Sequence, residues 1–145
     1  DPVLLRLLGR VHDGPQVVNS FRVLRQAGFD NLNLDLIYGV PGQSLAQWED
    51  SVRRTIDLGP EHISAYCLTY EEDTEFFLRM QSGEFREETD RDAEFFEAGV
   101  RLLTEGGYAQ YEISNYAQPG RACRHNIAYW EGADYLGLGP SAWST

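Results

Sequence analysis

Three observations make the sequence predict an α/β fold with a parallel sheet. Leu32, Leu34 and Leu36 alternate with Asn33 and Asp35, the period of a strand with one apolar face. Leu45, Trp48, Val52 and Ile56 follow at helical spacing, behind a Ser44/Gln47 capping box and ahead of the breaker Gly59-Pro60. Residues 62–70, HISAYCLTY, are rich in β-branched and aromatic types and short enough for a second strand. Strand, helix and strand in that order are most simply joined as a right-handed βαβ unit.

The remaining elements follow in chain order. Asp1 as N-cap, Pro2 in the first turn and Gly9 as stop predict a short helix, with Arg10 just past its end. Pro15 starts a second helix whose apolar stripe is Val17, Val18, Phe21 and Leu24, closed by Gly28. Residues 38–43, YGVPGQ, read as a turn between the first strand and the third helix. Residues 74–80 and 90–104 read as helices, the second with a stripe of Ala93, Phe96, Val100 and Leu103 ahead of Glu105-Gly106-Gly107. Residues 109–114 alternate like a strand, 115–124 read as a loop around Pro119-Gly120, and the chain finishes on HNIAYW and YLGLGPSAW.

Composition narrows the function classes. A chain of 145 residues can bury roughly 68–70% of its unfolded surface, enough for one real core. Hydrophobic residues at 42% and charged residues at 24% are ordinary for a globular protein. No apolar run approaches the roughly 18 residues of a membrane span. The 23 acids outweigh 12 basic residues for a net charge of -11, a field that repels phosphate backbones and argues against a nucleic-acid partner. Two cysteines, Cys67 and Cys123, are too few for a disulfide scaffold or a closed metal site, and fit a reducing cytoplasm. Residues 71–105 hold 12 of the acids, so this block is expected to be a water-facing insert. The opening Asp1-Pro2, without an initiator Met or a signal segment, reads as the start of an excised piece.

Ligands of parallel α/β folds sit at the carboxyl ends of the strands, which draws attention to Asp35 and Thr69. Asp35 lies in an otherwise apolar strand, where a buried acid must find hydrogen bonds or lose its charge; it either caps a loop or meets a ligand. Gly39–Gly42 lacks the spacing of a phosphate-binding loop and reads as a turn. The densest polar group is Arg121, Cys123, Arg124, His125, Asn126, Tyr129 and Trp130. Imidazole is a common haem axial ligand and guanidinium pairs carboxylates bidentately, so His125 beside two arginines could meet a metalloporphyrin and its propionates. The alternative is that His125 bonds a backbone carbonyl and the aromatics are core. His12 and His62 stand at element starts and read as structural.

The strings LLRLLGRVH, AGFDNLNLDLIYGVPGQS, PEHISAYCLTYEEDT, QYEISNYA, RHNIAYW and YLGLGPSA, in this order, resemble the radical S-adenosylmethionine proteins related to oxygen-independent coproporphyrinogen III oxidase. The HNxxYW string, here His125, Asn126, Tyr129 and Trp130, favours the haem-chaperone-like branch over the oxidase. The resemblance implies the C-terminal part of a partial (β/α) barrel over residues 1–70. A small α+β segment over 71–145 would then hold the acidic helices and the HNxxYW and YLGLGPSA strings.

The resemblance also implies ligands. Arg10 would contact the carboxylate of the S-adenosylmethionine, Asp35 its ribose or nearby polar atoms, Thr69 the adenine side by its backbone, and Leu136 would close over it. His125 would contact haem and be a candidate iron ligand, with Arg121 and Arg124 beside it. The CxxxCxxC motif that holds the family's [4Fe-4S] cluster is absent from this sequence, and is expected upstream. Trp143 stands where the family usually has His after PSA, and Cys123 where it often has a small hydroxyl residue. The function implied is haem binding and transfer to an acceptor protein in the cytoplasm, without a membrane span. The alternative is the oxidase, which converts coproporphyrinogen III to protoporphyrinogen IX.

Overall fold

A computed structural model describes residues 1–72, 74–86 and 89–145. Helix α1, Pro2–Leu7, starts where the Asp1 carboxylate accepts the amides of Val3 and Leu4. Helix α2, Gly14–Gln26, is opened by a capping box between Asp13 and Gln16 and includes Pro15 in its first turn. Strand β1 is Asn33–Tyr38. Helix α3, Leu45–Leu58, carries the expected Ser44/Gln47 capping box, and Gly59 ends it in the left-handed conformation at φ 69°, where a side chain would be strained. Strand β2 is His62–Cys67, three residues shorter than expected.

Helices α4, Glu75–Gln81, and α5, Thr89–Glu105, follow. Residues 109–117 depart from the expected strand and loop. They form a hairpin of β3, Ala109–Glu112, and β4, Asn115–Ala117, joined through Ile113 and Ser114. Helix α6, Arg124–Trp130, takes up the HNxxYW string.

The sheet has the order β1-β2-β4-β3. β1 and β2 are parallel, with Leu34 beside Ile63 and Leu36 beside Ala65, and α3 carries the crossover between them. β4 runs antiparallel to both β2 and β3, so the sheet is mixed. The period-2 reading of β1 therefore holds, and the hairpin adds an antiparallel flank to it.

One face of this sheet makes the core. Tyr38, Ile63, Ala65 and Tyr116 meet Trp48 and Val52 of α3 and Phe95, Ala98, Leu102 and Leu103 of α5, with Leu36 packed against them. The acidic block is thus only half water-facing, a correction to the expected insert. Glu94, Glu97 and Glu105 of α5 are exposed while its opposite face is buried against α3. Charge count reports the polar side of an amphipathic helix and says nothing of the other side.

Candidate functional site

Side chains alternate across a strand, so the residues between the core positions all point to the second face. On β1 these are Asn33, Asp35 and Ile37, and on β2 they are His62, Ser64 and Tyr66. The chain at 121–126, leading into α6, borders this face. Together these segments enclose a cavity of about 590 Å³. Its wall includes Asp35, His62, Tyr66, Arg121, Arg124 and His125. Four residues singled out in the sequence, Asp35, Arg121, Arg124 and His125, therefore share one cavity.

The floor of the cavity is a hydrogen-bonded polar network. His62 is buried, and its Nδ1 lies 2.7 Å from Asn33 Oδ1, which can only accept. Nδ1 thus carries the proton and Nε2 accepts from the Tyr111 hydroxyl. The Tyr111 oxygen in turn accepts the backbone N–H of Cys123 at 3.2 Å. Asn33 Nδ2 donates to Asp35 Oδ1 at 2.7 Å. Ser64 Oγ donates to Asn115 Oδ1 at 3.1 Å, and Asn115 Nδ2 donates to Glu112 Oε2 at 2.7 Å.

Electrostatics follow this packing. Burial pushes His62 below the ordinary imidazole range, against the opposing pull of the Asp35 charge, so it is held neutral. Burial likewise raises the Tyr111 hydroxyl, which keeps it a donor. Burial also acts to raise the Glu112 carboxyl, but the amide of Ser114 and the Asn115 side chain outweigh it and hold it low.

Asp35 differs from its expected setting. It is exposed and stands mid-strand, where its carboxylate accepts from Asn33 and borders the cavity. His125 and Arg124 are also exposed, and Arg121 is half-buried with Nη1 3.9 Å from Asp30 Oδ2. Tyr66, His125 and Asn126 also line a neighbouring cavity of about 430 Å³, with Tyr129 and Trp130 on its far side.

The other three expected site residues lie elsewhere. Thr69, past the end of β2, borders a separate cavity of about 730 Å³ with Ile37, Tyr38, Cys67 and Phe96. Its hydroxyl donates to Glu71 at 3.2 Å. Arg10 is exposed after α1, its amide bonded to the Leu5 carbonyl at 2.8 Å. Leu136 is exposed, in a loop whose ends are tied by Tyr135 N–H to Thr145 Oγ1 and by Gly137 N–H to Ser144 Oγ.

The sequence read His62 as structural, which its burial and its two ring hydrogen bonds bear out, but did not foresee its pairing with Tyr111. A His at the first position of a strand has no periodic signature, and its partner lies 49 positions away. Cys67 and Cys123 are in no disulfide, and two cysteines are too few for the three thiolates of a CxxxCxxC motif. Among the described residues no group of three or more His, Cys, Asp or Glu side chains is placed to hold a metal ion. No helix among them is long and apolar enough to cross a membrane.

No family model matches the chain. Against curated proteins it is 40% identical to the heme chaperone HemW of Escherichia coli over 138 residues, 95% of this chain and 36% of that protein. It is 39% identical to HemW of Bacillus subtilis over 140 residues, 96% of this chain and 37% of that one. By sequence the chain is similar to one part of the HemW proteins.

The likeness extends to the mitochondrial radical S-adenosyl methionine domain-containing protein 1 of Danio rerio, 33% identical over 95% of this chain and 31% of that protein. The chain spans a little over a third of the length of the HemW proteins it matches. Among solved structures, coproporphyrinogen III oxidase (HemN) from Escherichia coli, described as a radical SAM enzyme, superposes with a TM-score of 0.77. The match covers 99% of this chain and 36% of that one at 22% identity. At that identity the match speaks for fold alone: the chain folds like one part of that structure. The mixed sheet, with α3 and α5 on one face and a polar second face, is the part of that fold the chain shares.

Proposed function

We propose that this chain serves a haem-binding and haem-transferring protein of the radical S-adenosylmethionine class, acting in the cytoplasm and delivering haem to an acceptor protein. The observation that carries the reading is the shared cavity, where an exposed imidazole, two guanidinium groups and a carboxylate meet on the polar face of the sheet. That donor set suits an iron porphyrin with anionic side chains. His125 reaches the metal, and Arg121 and Arg124 pair the propionates.

In this reading S-adenosylmethionine would meet Asp35 on this face. Arg10, Thr69 and Leu136, which lie outside that cavity, would reach its carboxylate and adenine from the neighbouring loops. Bound beside an iron-sulfur cluster, S-adenosylmethionine is a source of radical chemistry. The two cysteines of this chain do not fit the cluster, so the residues here bind and orient ligands. Asp35 and His125 line one cavity, so in this reading the nucleoside and the porphyrin would share a wall.

The test is a hemin titration of the intact protein, read by absorption spectrum, beside His125→Ala. Tight binding with a spectrum altered by the substitution supports the reading. Identical binding and spectra for both proteins overturn the role of His125. An anaerobic assay with S-adenosylmethionine then decides whether coproporphyrinogen III is converted instead, which is the oxidase reading.

A further inference from the structure

Helix α6 is weakly anchored. Its N-cap, Cys123, makes no side-chain capping bond, and among the described residues no other helix or strand packs broadly upon it. Yet it holds Arg124 and His125, which the haem reading needs in a defined place. Tyr111 touches this segment at both ends. Its hydroxyl accepts the Cys123 N–H at 3.2 Å, and its ring lies 6.1 Å from that of Trp130, the last residue of α6.

Tyr111 is itself fixed from below. The His62 ring meets it edge-on at 5.5 Å, and Nε2 accepts the Tyr111 hydroxyl hydrogen. His62 is in turn held by Asn33 Oδ1, so its tautomer and ring orientation are set by β1. The tyrosine proton points at His62, which leaves its lone pairs turned toward α6. A chain of directed bonds thus runs from the central strands to the start of the His125 helix.

We infer that His62 and Tyr111 are positioning residues for His125, setting the geometry with which the α6 imidazole meets a bound porphyrin. The inference rests on the haem reading above and names the parts of the fold that make that site rigid. A site built on a short, uncapped helix gains precision from support beneath it, and a displacement of an ångström at such a ligand is enough to change its coordination.

The experiment is hemin titration of the intact protein with four variants: Tyr111→Phe, His62→Ala, their double variant and His125→Ala. Thermal melting is recorded for each. Tyr111→Phe keeps the ring against Trp130 and His62 and removes only the hydroxyl. The expected result is hemin affinity weakened by about fivefold, the effect of one neutral hydrogen bond. The spectrum should shift toward that of His125→Ala while the melting temperature stays close to the parent. His62→Ala should move the spectrum in the same direction, and the double variant should bind no worse than the weaker single one, because both act through one path. A Tyr111→Phe spectrum and affinity equal to the parent, with His125→Ala clearly altered, overturns the positioning role and leaves the haem reading standing. If His125→Ala also binds as the parent does, both fall together. His62→Ala tests the inner link only where its melting curve shows a folded protein; Tyr111→Phe decides the inference by itself otherwise.

Discussion

Arg25 directs one nitrogen at both oxygens of Glu61, with Nη2 2.7 Å from Oε1 and 2.8 Å from Oε2. The same carboxylate accepts the Leu32 amide at 2.9 Å, and Arg25 also donates to the carbonyls of Gly59 and Phe29. One pair therefore ties the end of α2 to the approaches of β1 and β2, the two strands that present the polar face.

A pH dependence follows from this pair. Burial acts to raise the Glu61 carboxyl, but the Leu32 amide and Arg25 outweigh it and hold it below the ordinary range. A lowered native value adds stability that is complete above the unfolded value near pH ~4.3 and is lost as pH falls through the native one. Melting temperature of the intact protein should drop in that acid window, and Glu61→Gln should flatten the part of the drop owed to this residue. Glu61→Ala should cost about 1–3 kcal/mol at neutral pH, since it strands a half-buried guanidinium. Equal acid slopes for parent and Glu61→Gln would show that the pair does not couple folding to protons.

The core makes its own test at Trp48. Its ring is 1% exposed and its Nε1 donates to the Phe95 carbonyl at 2.8 Å. Gly99 of α5 makes room for it, because a Cβ there would stand 3.1 Å from Cζ2. Trp48→Phe should destabilise the protein by about 2–3 kcal/mol through the cavity and the lost hydrogen bond. Gly99→Ala should be harmful beside Trp48 and tolerated beside Phe at 48, where the helix preference of Ala over Gly, about 1 kcal/mol, is no longer opposed. Additive effects in chemical denaturation would contradict this coupling.

Much of this framework was readable in the residues. The Ser44/Gln47 box, the Leu32–Leu36 alternation and the Gly59 stop each state a local rule that the fold obeys. β4 was not readable, because Asn115–Ala117 is three residues long and pairs only through contacts with β2 and β3. α6 escaped for a related reason, being seven residues with no side-chain cap. Asp35, Arg121, Arg124 and His125 were singled out by residue type, and their sharing of one cavity needed the sheet. The His62–Tyr111 pair depends on that same long-range convergence, which no local period encodes.

Asp35 gives the prediction for the nucleoside. It is exposed on the polar face, where its Oδ1 accepts from Asn33 Nδ2 at 2.7 Å, a bond that fixes the carboxylate's orientation. Asp35→Ala in the intact protein should weaken S-adenosylmethionine binding by about tenfold in calorimetry, the scale of a charge-assisted hydrogen bond. His125→Ala should leave that affinity unchanged. Equal affinity for Asp35→Ala and the parent would remove Asp35 from the nucleoside site.

Arg121 and Arg124 predict a preference for the charged porphyrin. Hemin dimethyl ester keeps the macrocycle and iron and loses only the two carboxylates, so the ratio of its dissociation constant to that of hemin isolates propionate recognition. Each guanidinium is at least partly open to water, so each should contribute about 1 kcal/mol, or roughly fivefold, to that ratio. Arg121→Gln and Arg124→Gln should each shrink the ratio while the spectrum, assigned to His125 in the proposed reading, stays put. Arg121 is the half-buried one and must leave its 3.9 Å contact with Asp30 to serve a propionate. Arg124 is exposed, so its share should fade first as salt is raised, with screening lengths near ~10 Å at about 0.1 M. Equal affinities for acid and ester in the parent would take both arginines out of the porphyrin site.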